Sequence, residues 1–276
     1  MPGAWSWNGD PLVLLGLAAL GSGYYAVVGP LRARHGWGDP ATPRQVAAFA
    51  GGLVLLALTL LSPLDALGRT TLFSAHMLQI MLLNTAVAPL LLLGLPEWLV
   101  AQRLGWLVRL GEGGTLVFWA AAALLFNGTF LLWHVASLYE PALHVSAVHD
   151  LASVTLLLTG ALRWWPLVTP GSPPTRLAHP GQMLYLLLES LPLDIFAVFL
   201  IFAARPAYAT YRLAAHPWGL TALLDQQIAG CIALLPGTFL DIVLIVLVSV
   251  IFFAWFRQME SDQQAEDERR AALQQG

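Results

Sequence analysis

A chain of 276 residues with 58% hydrophobic residues, 11% charged residues and a mean hydropathy of +0.69 is too apolar for a soluble domain and reads as a multi-span membrane protein. Its net charge of −3 gives no basic footprint for a nucleic-acid partner. All 13 basic residues are arginine, which excludes a retinal-type lysine Schiff base; the single cysteine, Cys231, excludes an intramolecular disulfide, a Cys-x-x-Cys motif and a thiolate cage for zinc or iron–sulfur.

The opening MPGAWSWNGDP lacks the positive start of a signal peptide, so the first apolar run is expected to be a retained helix. Runs near the ~20 residues needed to cross a bilayer fall at about 11–30, 45–63, 72–94, 115–134, 147–165, 181–204 and 224–256. Turn chemistry and charge separate them, in GPLRARHGWGDPATPR, SPLDALGRT, VTPGSPPTR and ARPAYATYRLAAHPWG. The expected fold class is all-α: a polytopic bundle of seven transmembrane helices over residues 1–256, followed by a polar cytoplasmic tail over 257–276.

Short cytoplasmic loops carry the excess of positive charge. Placing the N-terminus outside and the C-terminus in the cytoplasm puts Arg32, Arg34, Arg44, Arg103, Arg109, Arg163, Arg176, Arg257, Arg269 and Arg270 inside, and leaves Arg69, Arg205 and Arg212 outside. Trp5, Trp7, Trp133, Trp218, Tyr208 and Tyr211 then read as outer-interface anchors. Trp98, Trp106, Trp119, Trp164, Trp165 and Trp255 read as inner ones.

This orientation gathers polar residues at the outer face. His76 lies roughly 6 Å below the outer end of the third run, at about 1.5 Å per residue. His134 ends the fourth run, His149 begins the fifth, and His144 lies in the loop between them. Asp65 precedes the third run, while Asp225, Gln226 and Gln227 open the seventh. Imidazoles suit copper, zinc, iron or nickel, and sulfur shifts the preference toward Cu(I). Met77 and Met81 are near His76 without sharing its helical face, and Cys231, one turn below Gln227, is either a soft donor to this group or a small core residue. Ligation has structural rivals: His76 could hydrogen-bond to Asp65 or Gln227, and Asp65 and Asp225 could cap their own helices. His35, His179 and His216 read as solvated. Glu189 and Asp194 in the sixth run and Asp241 in the seventh read either as helix-to-helix hydrogen-bonding groups or as part of a proton or cation path.

SPLD, FSAHMLQ, a span ending in APLLLLGLP, FNGTFLLWHVASLYEPALHVSAVHDL, RWWP, RPAYATYR and LLDQQIAG occur in order over roughly residues 60–237. Together these blocks resemble the CtaG family, multi-span assembly factors of caa3-type cytochrome c oxidases. The resemblance implies a non-enzymatic protein of the bacterial cytoplasmic membrane that helps provide copper to the oxidase. Its partners would be oxidase subunits and a copper donor protein. His76 matches the first position of the family's His-Met-x-x-His pattern, whose second position is Ile80 here. His149 matches the start of a His-x-x-x-His pattern completed by Ser153, with Ala152 where an acidic residue is common and Ala233 where methionine is expected. The expectation is a Cu(I) site of His76, His134 and His149, supported by Asp65, Met77, Asp225, Gln226 and Gln227. The alternatives are a metal-free scaffold, a copper transporter using Glu189, Asp194 and Asp241, and a haem protein with two axial histidines.

Overall fold

The computed structural model describes residues 6–103, 115–168, 179–214, 217–235 and most of 242–264. In chain order the helices are α1 (Pro11–His35), α2 (Pro43–Leu61), α3 (Pro63–Thr70), α4 (Phe73–Leu93), α5 (Glu97–Arg103), α6 (Thr115–Trp133), α7 (Ala136–His144), α8 (Ser146–Val168), α9 (His179–Phe202), α10 (Ala209–Leu213) and α11 (Ala222–Leu234). No strand occurs among the described residues. Helices α1, α2, α4, α8 and α9 are each long and apolar enough to cross a bilayer, and α6 with α7 forms a sixth such element bent by 72°. The expected seventh run begins with α11, 13 residues long, and continues past residues 236–241, which lie outside the described ones.

Local chemistry sets the helix starts. Thr42 and Gln45 form a capping box ahead of Pro43 in α2, Ser62 accepts from Leu64 N ahead of Pro63 in α3, and Thr221 accepts from Leu224 N in α11. Asp65 and Asp225 therefore do not cap their own helices. By contrast, α4 begins after Leu72 without a side-chain cap from its own segment.

Helix α4 is the centre of the bundle, packed on α2, α3, α8 and α11. Just over half of its most apolar stretch (56%) is buried, whereas that of α1 is 0% buried, so α1 is a peripheral helix. Its entry is set by Gly68: a Cβ there would stand 3.0 Å from both the Cα and the N of His76, so only glycine lets α3 come this close to α4. One turn beyond Ile80, α4 passes through a π-helical segment, Leu83–Val87, ahead of Pro89. Trp164 Nε1 donates to the Asn84 carbonyl there at 2.6 Å.

Several residues expected at membrane interfaces are instead inside. Trp119, Trp164 and Trp165 form an interhelical cluster with Tyr185, and Tyr208 and Tyr211 are buried beside Phe73. Arg163, expected at the cytoplasmic side, is 2% exposed, because α8 continues through Pro166 to Val168 and keeps it within the helix. Its Nε donates to Glu189 Oε1 of α9 at 2.5 Å, and its guanidinium stands 4.9 Å from the Phe126 ring centroid. Asn127 donates to the Glu189 carbonyl at 2.9 Å and Tyr185 to the Arg163 carbonyl at 2.9 Å. Glu189 is thus the partner of an arginine on another helix, and Asp194 is half-buried five residues further along α9. Asp241 and His216 lie outside the described residues.

Candidate metal centre

Three helices bring His76, His134 and His149 around one cavity of about 20 Å³, room for about one water-sized sphere. His76 stands in the first turn of α4, His134 at the junction of α6 and α7, and His149 in the first turn of α8. All three are buried. The ring centroid of His76 is 6.4 Å from that of His134 and 6.5 Å from that of His149.

Their hydrogen bonding differs. His134 Nδ1 donates to the Phe130 carbonyl at 2.7 Å, which leaves Nε2 with its lone pair, buried and without a partner. His76 Nδ1 is likewise buried without a partner. His149 Nε2 stands 2.9 Å from Asp65 Oδ1, close enough for an ion pair but off the line of a hydrogen bond. Native interiors seldom leave polar atoms unpaired, so two orphaned ring nitrogens on different helices mark this cavity out.

Asp65 is the hub of the polar contacts beside His149. It accepts from Gln79 Nε2 at 2.9 Å and from Asn8 Nδ2 at 3.1 Å, besides meeting His149. Burial alone would push its carboxyl up, but His149, the Gln79 amide and Arg69 outweigh burial and hold it below the ordinary carboxylate range. A depressed carboxyl stabilises the fold above its unfolded value, near ~3.9, and that contribution is lost as pH falls through the folded value. The acid limb of a melting-temperature profile below about pH 4 is therefore expected to be shallower in Asp65→Asn than in the wild type. Parallel limbs would mean that Asp65 contributes nothing to acid stability.

Other expected supports lie elsewhere. Asp225 is fully buried and accepts from Phe73 N at 2.6 Å, from Ser74 N at 3.2 Å and from Ser74 Oγ. It is the cap that α4 lacks, supplied from α11, and acts on His76 through the helix that carries it. Gln226 accepts from Ala207 N at 2.6 Å and donates to the Leu200 carbonyl at 3.3 Å, and Gln227 donates to the Ile201 carbonyl at 3.2 Å. Both clamp the end of α9, and neither lines the histidine cavity. Met77 and Met81 are packed in the core, and neither lines the cavity. Cys231 is exposed, neither core residue nor donor to this cavity. His144 ends α7, with Nε2 3.1 Å from Thr210 Oγ1.

Two groups escaped the sequence reading. Gln79 is three residues after His76 on the same helix, a spacing that could have marked it as a neighbour. The second is an aromatic roof from α7 and α10. Tyr139 meets the His76 ring edge to face at 5.0 Å and stacks on Tyr208 at 4.0 Å; its hydroxyl lies 2.8 Å from that of Tyr211, which donates to the Gly68 carbonyl at 2.5 Å. Tyr208 donates to the His134 carbonyl at 2.8 Å. Glu140 ties α7 to α10 by accepting from Ala209 N at 2.7 Å and from Thr210 Oγ1, and Arg69 Nε donates to the Leu143 carbonyl at 3.1 Å. Ile80 and Ser153 also line the cavity, as does Ala152.

Among curated proteins, uncharacterized proteins of Mycobacterium leprae (25% identical), Mycobacterium bovis and Mycobacterium tuberculosis (each 26% identical) align with this chain over 269 residues. The alignments cover 91% of this chain and 40% of each relative, so the chain spans well under half the length of the curated relatives it matches. No solved structure matches. The family model described as cytochrome c oxidase caa3 assembly factor, Caa3_CtaG, matches residues 22–258, and the chain belongs to that family.

Proposed function

We propose that this chain is a membrane assembly factor for cytochrome c oxidase that holds copper, as Cu(I), at the outer face of a bacterial cytoplasmic membrane. It faces that side with its N-terminus outside, in keeping with the arginine distribution, and works with oxidase subunits and a copper donor protein. The observation that carries the reading is the pair of buried, unpartnered nitrogens, His76 Nδ1 and His134 Nε2, at one cavity with His149. The donor chemistry fits a soft, low-coordinate ion: imidazoles from three helices, one of them oriented by a carboxylate. His76, His134 and His149 would hold the ion, with Asp65 orienting His149; the copper supplied in this way is cargo for the oxidase.

As placed, the rings stand slightly wider than a closed site. Two imidazoles sharing an ion at about 2 Å from each nitrogen bring their centroids to roughly 6 Å or less, against 6.4 and 6.5 Å here. Among the described residues no three His, Cys, Asp or Glu side chains stand in position around one ion. That spacing, with Ile80 and Ser153 in the cavity wall, favours a metal-free scaffold as the second reading. Glu189 loses its appeal as a transport carboxylate because Arg163 neutralises it. A cavity of about 20 Å³ is far below the several hundred Å³ that a ligand the size of haem requires.

Anaerobic Cu(I) titration in detergent against a chromophoric chelator tests the reading. The wild type is expected to retain one Cu(I), His76→Ala and His134→Ala to lose it, and Asp65→Asn to weaken it by about 10-fold. Equal, weak binding by all four proteins, with oxidase copper content unchanged in cells carrying the variants, would leave the scaffold reading standing.

A further inference from the structure

An apolar slot runs along α8 beside the histidine cavity. At its outer end Leu12, Gly16 and Leu20 of α1 face Asp150, Ser153 and Val154 of α8, enclosing about 130 Å³. A second cavity of about 300 Å³ continues inward along α8 to Ala161 and shares Leu20, Val154 and Leu157 with the first. From Asp150 to Ala161 the slot is about 16 Å long at 1.5 Å rise per residue, the depth of one leaflet of a hydrocarbon core about 30 Å thick.

Size decides among occupants. A helix with its side chains is about 10 Å across and over about 16 Å of length would need far more than these volumes, whereas a single acyl chain matches the length and the apolar lining. Charge narrows the headgroup. Asp150 is the one charged residue among the described residues that line the slot, at its outer mouth, and Asp10 and Asp65 stand within electrostatic range of it, offset by Arg69 and His149. We propose that the slot between α1, α2 and α8 binds one acyl chain of an outer-leaflet phospholipid whose amine headgroup pairs with Asp150. Ser153 lines both this slot and the histidine cavity, so the bound chain closes the membrane side of the metal centre.

The inference stands whether or not copper binds. Its test is native mass spectrometry of full-length protein exchanged from mild detergent into nanodiscs of equal phosphatidylethanolamine and phosphatidylglycerol. The wild type is expected to retain one phosphatidylethanolamine. A Cβ at Gly16 meets nothing within 4 Å, so Gly16→Leu fills the slot without disturbing the backbone and is expected to lower occupancy by at least about tenfold. Asp150→Asn is expected to keep a lipid and lose the headgroup preference. No retained lipid on the wild type, full retention by Gly16→Leu, equal retention of the two lipids by the wild type, or a second protein copy in place of the lipid would each overturn the proposal.

Discussion

Arg163→Leu is expected to destabilise the bundle by about 3–5 kcal/mol. Arg163 and Glu189 are 2% and 3% exposed, and both Nε and Nη2 of the arginine reach the same carboxylate oxygen at 2.5 Å. Removing the guanidinium leaves a carboxylate in a region with no water to solvate it, while Glu189 Oε2 already lacks a hydrogen-bond partner. The pair itself need not be a net gain, since desolvating two charges offsets much of their attraction. The double variant Arg163→Leu/Glu189→Leu is therefore expected to recover most of the melting temperature in detergent. Should Arg163→Leu melt with the wild type, the ion pair would have no part in holding α8 to α9.

The second large effect is expected at Asp225. Asp225→Ala strands the buried Phe73 amide, at a cost of about 1–3 kcal/mol, and the half-buried Ser74 amide and hydroxyl, which water can partly satisfy. The damage falls on the first turn of α4, which has no cap of its own, and so on His76. Thermal unfolding should show the loss of stability, and the same protein should bind Cu(I) more weakly than Met77→Leu, a core change that leaves the cavity lining intact. Asp225→Asn retains an acceptor and is expected to keep most of both properties. A variant Asp225→Ala that is destabilised yet binds copper like the wild type would separate the cap from the histidine it precedes.

What could be read in advance divides along a physical line. Hydropathy located α1, α2, α4, α6, α8 and α9 to within a few residues, because a helix in lipid has to satisfy its backbone internally over a fixed thickness. The three histidines line one cavity, as the alternating direction of successive spans implied, since position along a span fixes depth. Azimuth was harder to read. Depth alone could not tell that Asp225 faces α4, that Gln226 and Gln227 face α9, or that Cys231 faces outward, and these depend on how helices rotate against one another. Arg163 was misplaced for a related reason. An arginine beside Trp164, Trp165 and Pro166 resembles an interfacial belt, and only a glutamate on another helix shows that it belongs inside. Asn8 carried no signal at all, because its role arises from a contact 57 residues along the chain.

The 72° bend between α6 and α7 has a kinetic consequence. His134 sits at that bend, its carbonyl held by Tyr208, while α7 above it is fastened through Tyr139, Glu140 and the Leu143 carbonyl. Each such bond is worth only about 0.5–1.5 kcal/mol net, yet they must release together for α7 to lift, and lifting it carries the His134 ring away. Release of an ion held below α7 would then require a cooperative local opening in addition to breaking its bonds to the rings. Two members that bind with equal affinity could in this way differ widely in how fast they hand on what they hold.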